Sequence, residues 1–211
     1  MSNNSSQVPS IENFVSHKIQ KLYSSYSAGN SSAKKQLSDL RRAVEQNPAK
    51  NPLAWQYVIS SDKDSCFPEK QEYRTSDAPT RTENAIYSAL ALYAVHQQSE
   101  QRIMHASGLP FGNAVGQLVY RRTPSIKRRF DSLLRARTFE SATYHARSLV
   151  QLLKQEEIPF DYGRFATDLA QLQNPSTKSG VITRWSRDFT YGYSKSFSGN
   201  SPKNDYSEDN K

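Results

Sequence analysis

The chain has 211 residues, 36% hydrophobic and 23% charged, the composition of a folded globular protein with room for one large domain or two small ones. A single cysteine, Cys66, excludes an intramolecular disulfide; with no basic-then-apolar leader and no apolar run of about 18 residues, a cytoplasmic protein without a membrane partner is expected. The net charge of +8 is uneven, with twelve basic and ten acidic groups up to residue 110 but thirteen and seven from 111 to 189, and an excess of that kind points to a polyanion.

The first ten residues are polar and lack aromatics, as at a frayed terminus. From Ser10 the series Ile11, Phe14, Val15, Ile19, Leu22 recurs at three- and four-residue steps, predicting a helix capped by Ser10 and stopped at Gly29-Asn30. A second amphipathic helix fits Ser32 to Gln46, burying Leu37, Leu40 and Val44 ahead of Pro48 and carrying Lys34, Lys35, Arg41 and Arg42 on its outer sides. Trp55, Tyr57 and Val58 in PLAWQYVIS read as core, and Asp62 to Arg81, rich in Pro, Ser, Asp and Glu, as a surface loop. Glu83 to His96 is apolar almost all round and too short to span a bilayer, which makes it a buried central helix.

Gly108, Gly112 and Gly116 stand four apart, but no Gly-Lys-Ser/Thr follows and no apolar strand precedes them. A phosphate loop is therefore excluded, and small residues at this spacing instead let two helices approach closely. The charge excess is concentrated next. Between 121 and 137 stand Arg121, Arg122, Lys127, Arg128, Arg129, Arg135 and Arg137 against one acid, Asp131. Pro124 and Ser125 mark a helix start. At about 100° per residue Ile126, Phe130, Leu133 and Leu134 form one stripe, with Arg128 and Arg135 opposite it and Arg129 and Arg137 closer to it in a packing position. Solvated faces normally mix both signs, so a face of nearly one sign points to nucleic acid.

Ser141 to Glu156 forms another amphipathic helix in which Ala142, His145, Leu149, Leu152 and Leu153 share a face, with Arg147 and Lys154 across from it. His145 reads as a hydrogen-bonded core or interface residue. A helix over Pro159 to Leu172 is capped by Asp161 and buries Phe165, Leu169 and Leu172, and Asn174 to Lys178 turns the chain. In VITRWSRDF the stripe Val181, Ile182, Trp185, Phe189 leaves Arg184 and Arg187 projecting the other way, and residues 191–211 read as a disordered tail. Every element is helical. Catalytic chemistry finds no support: the four histidines are scattered, no His-x-x-x-His or Cys-x-x-Cys spacing exists, and adjacent acids such as Glu156-Glu157 do not face each other on a helix. No enzyme, cofactor or metal is expected.

In series, GLPFGNAVGQLV, SIKRRFDSLLRART, YHARSLVQLLKQEEIPFDYGRFATDL and VITRWSRDF resemble the small subunit of the type I-E CRISPR Cascade, the CasB family. The resemblance is close over 108–190 and looser at LRRAVEQNP and PLAWQYV. It departs at Asn113, where many members have arginine. It implies an all-α protein of two small helical bundles, here residues 10–107 and a basic bundle at 108–190. It implies a pair of copies beside backbone and large subunits, crRNA and target DNA, and no activity beyond sequence-independent binding that holds the opened target. On that basis the nucleic-acid contacts fall to Arg128, Arg135 and Arg147, then Arg121, Arg122 and Lys127, then Arg41, Arg42, Arg184 and Arg187. A free-standing repressor-like helical binder and an adaptor for an acidic protein remain open as alternatives.

Overall fold

The computed structural model describes residues 10–44, 51–58 and 78–198. The first helix, α1 (Ile11–Ser27), starts where its cap dictates: the Ser10 hydroxyl accepts from the Asn13 amide at 3.1 Å. It ends in a Schellman closure, with the Asn30 amide on Ser25 O at 3.1 Å and the Gly29 amide on Tyr26 O at 3.0 Å, a turn that needs the left-handed backbone Gly29 supplies at φ +82°. Asn30 then caps α2 (Ser31–Ala43), one residue earlier than the sequence suggested; Val44 is only half-buried, and 45–50 lie outside the described residues. α3 (Pro52–Val58) is a short helix that buries Ala54 and Val58 but leaves Trp55 and Tyr57 half-buried. Most of the expected Asp62–Arg81 loop, like Cys66, lies outside the described residues, and Arg81 itself is helical. The reason is a capping box, in which Thr80 Oγ1 accepts from the Glu83 amide at 3.1 Å while Glu83 Oε2 accepts from the Thr80 amide at 2.7 Å.

That box opens α4 (Arg81–His96), buried on nearly every side. α1, α2, α3, α7 (Phe139–Gln155) and α8 (Tyr162–Leu172) all pack on it. α8 lies against both α1 and α4, so the helices of 10–107 and those of 108–190 share one continuous apolar core. Its N-cap, Asp161, does two things: Oδ1 accepts from the Arg164 amide at 3.0 Å and Oδ2 from the Gly108 amide at 2.8 Å, fastening the turn before α5 (Phe111–Arg121). Among the described residues no strand forms, and one isolated parallel bridge joins His105 to Phe160.

The most extensive helix packing joins α5 to α9 (Pro175–Ser198). A Cβ on Gly112 would overlap the Trp185 carbonyl and one on Gly116 the Phe189 carbonyl, so the glycine spacing serves a close helix approach, as expected from the sequence. Residue numbers rise together along the interface, which means the two helices run in the same direction. α9 departs from expectation at both ends. It begins at Pro175 inside the expected turn, with Asn174 Oδ1 accepting from the Ser176 amide at 3.1 Å, and it continues through Tyr191–Ser198, so 191–198 is helix rather than tail. Residues 199–211 lie outside the described residues.

Candidate nucleic-acid interface

The basic run is held in place by what its apolar stripe meets. After α5 the chain makes a 3-10 turn at Pro124–Ile126 and enters α6 (Lys127–Leu134). Ile126, Phe130 and Leu133 are buried and Leu134 is half-buried; Phe130 stacks on Phe189 of α9 with centroids 5.1 Å apart and planes 16° from parallel. Along α7, Arg129 donates to Ser148 Oγ, Arg122 pairs with Glu156, and Arg121 donates to Glu156 O at 3.4 Å. Numbers falling on α7 as they rise in the run show that residues 121–137 lie antiparallel along that helix. At the far end the Lys178 ammonium donates to Ala136 O at 2.7 Å.

With the stripe buried, Arg121, Arg122, Lys127, Arg128, Arg129, Arg135 and Arg137 are all exposed. Arg129 and Arg137, expected to serve packing, are thus part of the cationic surface. Among the described residues the side chains of Arg128, Arg135 and Arg137 make no ion pair and no hydrogen bond. Lys127 is paired with Asp131 at 2.8 Å and Arg122 with Glu156, both in water-exposed positions where a pair is worth about 1 kcal/mol or less, so a phosphate can displace either acid.

The other expected contacts are placed differently. Arg184 turns back onto α8, its Nη2 2.6 Å from Asp168 Oδ1 and 2.6 Å from Gln171 Oε1, while Trp185 Nε1 donates to Asp168 Oδ2 at 2.7 Å. Its charge is answered inside the protein, and it fastens α9 to α8. Arg187 is exposed, and Arg147, expected across from the apolar face, is half-buried. Arg41 is half-buried and Arg42 exposed at the last turn of α2, which packs on α1, α3 and α4 and is therefore carried separately from α6 and α7.

His145 is half-buried beside the Tyr144 ring. His96 and His105 do come together, around Tyr162: His96 Nδ1 lies 3.1 Å from the Tyr162 hydroxyl, and His105 Nδ1 accepts from the Tyr162 amide at 3.1 Å. That acceptor role puts the His105 proton on Nε2. Burial holds both rings below the ordinary histidine value, His96 at about 3. Among the described residues no three His, Cys, Asp or Glu side chains gather as a metal site. Nor is any helix there long and apolar enough to cross a membrane.

The family model for the CRISPR-associated protein Cse2 matches residues 36–189. The chain belongs to the Cse2 family of CRISPR-associated proteins. The match starts inside α2 and runs through α3, α4 and the basic half, and what it adds to the segments that resemble CasB in sequence is chiefly the stretch that holds α4. The structure of CasB from Thermobifida fusca is 28% identical with a TM-score of 0.69, covering 85% of this chain and 97% of that one. CasB from Thermus thermophilus, 22% identical with a TM-score of 0.61, covers 86% and 97%, and M. ruber CasB, 22% identical with a TM-score of 0.58, covers 79% and 90%. Among curated proteins none matches the chain. The all-α expectation stands for this Cse2-family protein.

Sequence reasoning passed over the surface tyrosines. Tyr144, Tyr191 and Tyr193 are 71%, 60% and 40% exposed, and Tyr193 carries the core ring stack outward, lying 6.3 Å from Phe189 at 10° and 6.0 Å edge-on from Tyr120. A signal for Tyr193 was present, since Val181, Trp185, Phe189 and Tyr193 succeed one another at four-residue steps.

Proposed function

We propose that this Cse2-family protein is a non-catalytic small subunit of a type I-E CRISPR Cascade surveillance complex in the cytoplasm. In that role it sits beside backbone and large subunits and a second copy of itself, with crRNA and target DNA as its nucleic-acid partners. Its exposed arginines neutralise phosphates without reading bases and hold the opened strands of the R-loop. The observation that carries this reading is the run 121–137, laid along α7 with its apolar stripe buried and with Arg128, Arg135 and Arg137 left without partners among the described residues. The sequence KRRFDSLL of α6 offers no Asn or Gln to read a base edge, which favours backbone contact over a repressor-like reading helix. Strand exchange in an R-loop is nearly balanced in energy, so modest contacts to the opened strands suffice to tip it.

The test is Arg128→Glu with Arg135→Glu. Melting should change by no more than about 0.5 kcal/mol per site, because both side chains are exposed. The slope of log affinity against log salt should flatten by about 0.9 for each phosphate no longer neutralised on duplex, or about 0.7 on a single strand. In the assembled complex guide RNA should still load while the R-loop decays faster. If slope and R-loop lifetime both match the parent protein, the basic run is a solvated surface and the reading fails.

A further inference from the structure

A cleft of about 600 Å³ opens between α5 and α9, lined on one side by Asn113 and Gln117 and on the other by Asp188, Tyr191, Lys195 and Ser196. Its volume is that of a small-ligand site, and its walls mix these polar side chains with Leu109 and Pro110. Gln117 Nε2 donates to Asn113 Oδ1 at 2.8 Å, and neither side-chain amide makes another hydrogen bond among the described residues. Whichever amide is taken as donor, that single bond leaves a carbonyl and N–H groups unspent across the pair. Asn113 is 7% exposed as a residue, and its Nδ2 is not among the buried atoms left unpaired, so its unspent N–H groups are open to the solvent of the cleft. Across the cleft Tyr191 is 60% exposed, with the Lys195 ammonium 5.8 Å from its ring centroid. Asp188 gives one oxygen to Arg164 at 3.2 Å and keeps the other as an acceptor.

An aromatic platform in water, a neighbouring donor and acceptor on the opposite wall and a lysine beside the ring together match one chemical class. We propose that this cleft takes an unstacked base of a single-stranded nucleic acid, stacked on Tyr191, with its hydrogen-bonding edge on the Asn113–Gln117 amides and its phosphate near Lys195. A base paired in a duplex has both faces stacked and its pairing edge spent, so it cannot enter such a site. Asn113, Gln117 and Arg121 follow one another at four-residue steps on the same side of α5, so the cleft leads, about 6 Å per step, into the basic run. The inference rests on the nucleic-acid reading above and narrows it to a strand with unpaired bases.

The full chain is titrated with a short single-stranded oligonucleotide carrying a single 2-aminopurine, and with the duplex made from it. Stacking on Tyr191 should quench the 2-aminopurine. Tyr191→Ala should abolish that quenching and weaken single-strand binding by about 5- to 150-fold, the range that follows from removing one stacked base. It should leave duplex affinity and salt slope unchanged. Tyr191→Phe, which keeps the ring, should bind like the parent. If Tyr191→Ala binds the single strand as the parent does with the same fluorescence, while Arg128→Glu with Arg135→Glu weakens both probes, the cleft inference is wrong and the broader reading stands. If the parent protein binds neither probe, both fall.

Discussion

His96 makes the stability of this protein depend on pH in a way that can be worked from its surroundings. Its ring is 0% exposed, at the end of α4, stacked on Phe160 at 5.6 Å. Nδ1 meets the Tyr162 hydroxyl, and Nε2 faces the Leu153 carbonyl without a well-formed hydrogen bond. Burial lowers its pKa from 6.5 to about 3, so the folded state keeps the ring neutral while the unfolded chain protonates it. Between those two values the unfolded state binds the extra proton, and stability rises with pH. The contribution is fully present above about 6.5 and is lost as the pH falls toward 3. At about 1.4 kcal/mol per pH unit, going from pH 7 to pH 5 removes about 2 kcal/mol through this one residue. His105, also lowered by burial, adds in the same direction. The measurement is denaturant unfolding at several pH values on the parent and on His96→Gln, which does not titrate. The parent should lose stability steadily below pH 6.5 and the variant should lose about 2 kcal/mol less by pH 5. Identical pH slopes in the two proteins would refute the account, whatever the absolute stability of the variant.

Two packing predictions accompany it. Phe130 is buried between α6 and α9 and stacked on Phe189, so Phe130→Ala should cost about 3 to 5 kcal/mol in chemical unfolding. Gly116→Ala and Gly180→Ala are the same change in two helices with opposite expected signs. At Gly180 the new Cβ meets only Arg184 Nη1 at 3.6 Å, so removing a helical glycine should stabilise by up to about 1 kcal/mol. At Gly116 it overlaps the Phe189 backbone, which cannot move aside, and the protein should lose about 1 to 3 kcal/mol despite the same propensity gain. Equal shifts in melting for the two would contradict the close approach of α5 and α9.

The features legible in the sequence are those with a local cause. Ser10, Gly29 and Asp161 announce helix ends through side chains and backbone freedom that act within one turn, and Ile126, Phe130 and Leu133 announce a buried stripe through period alone. Features whose cause lies across the fold stay hidden. Period shows which way Arg184 leaves the stripe of α9, but only tertiary packing brings Asp168 of α8 within 2.6 Å of it and removes it from the available cations. Arg129 falls at a packing angle on α6, yet it is exposed and spans to Ser148, because the partner surface covers a narrower stripe than the helical wheel suggests.

The end of α9 shows the same limit from the other side. Tyr191 to Ser198 has the Ser, Gly and Tyr content of a tail, and no isolated segment of that composition would hold a helix. What holds it is α5: Gly192 lies against the Asn113 backbone so closely that a Cβ there would overlap the carbonyl, and Tyr193 joins the ring stack begun by Phe130 and Phe189. The residue that reads as a helix breaker is thus the one that allows the packing that sustains the helix. The same packing leaves Tyr191 on the solvent side, facing the amides of α5. The small residue at 192 therefore both extends α9 and places Tyr191 on a helix, at the cleft that Gln117 also lines, rather than on a free chain end.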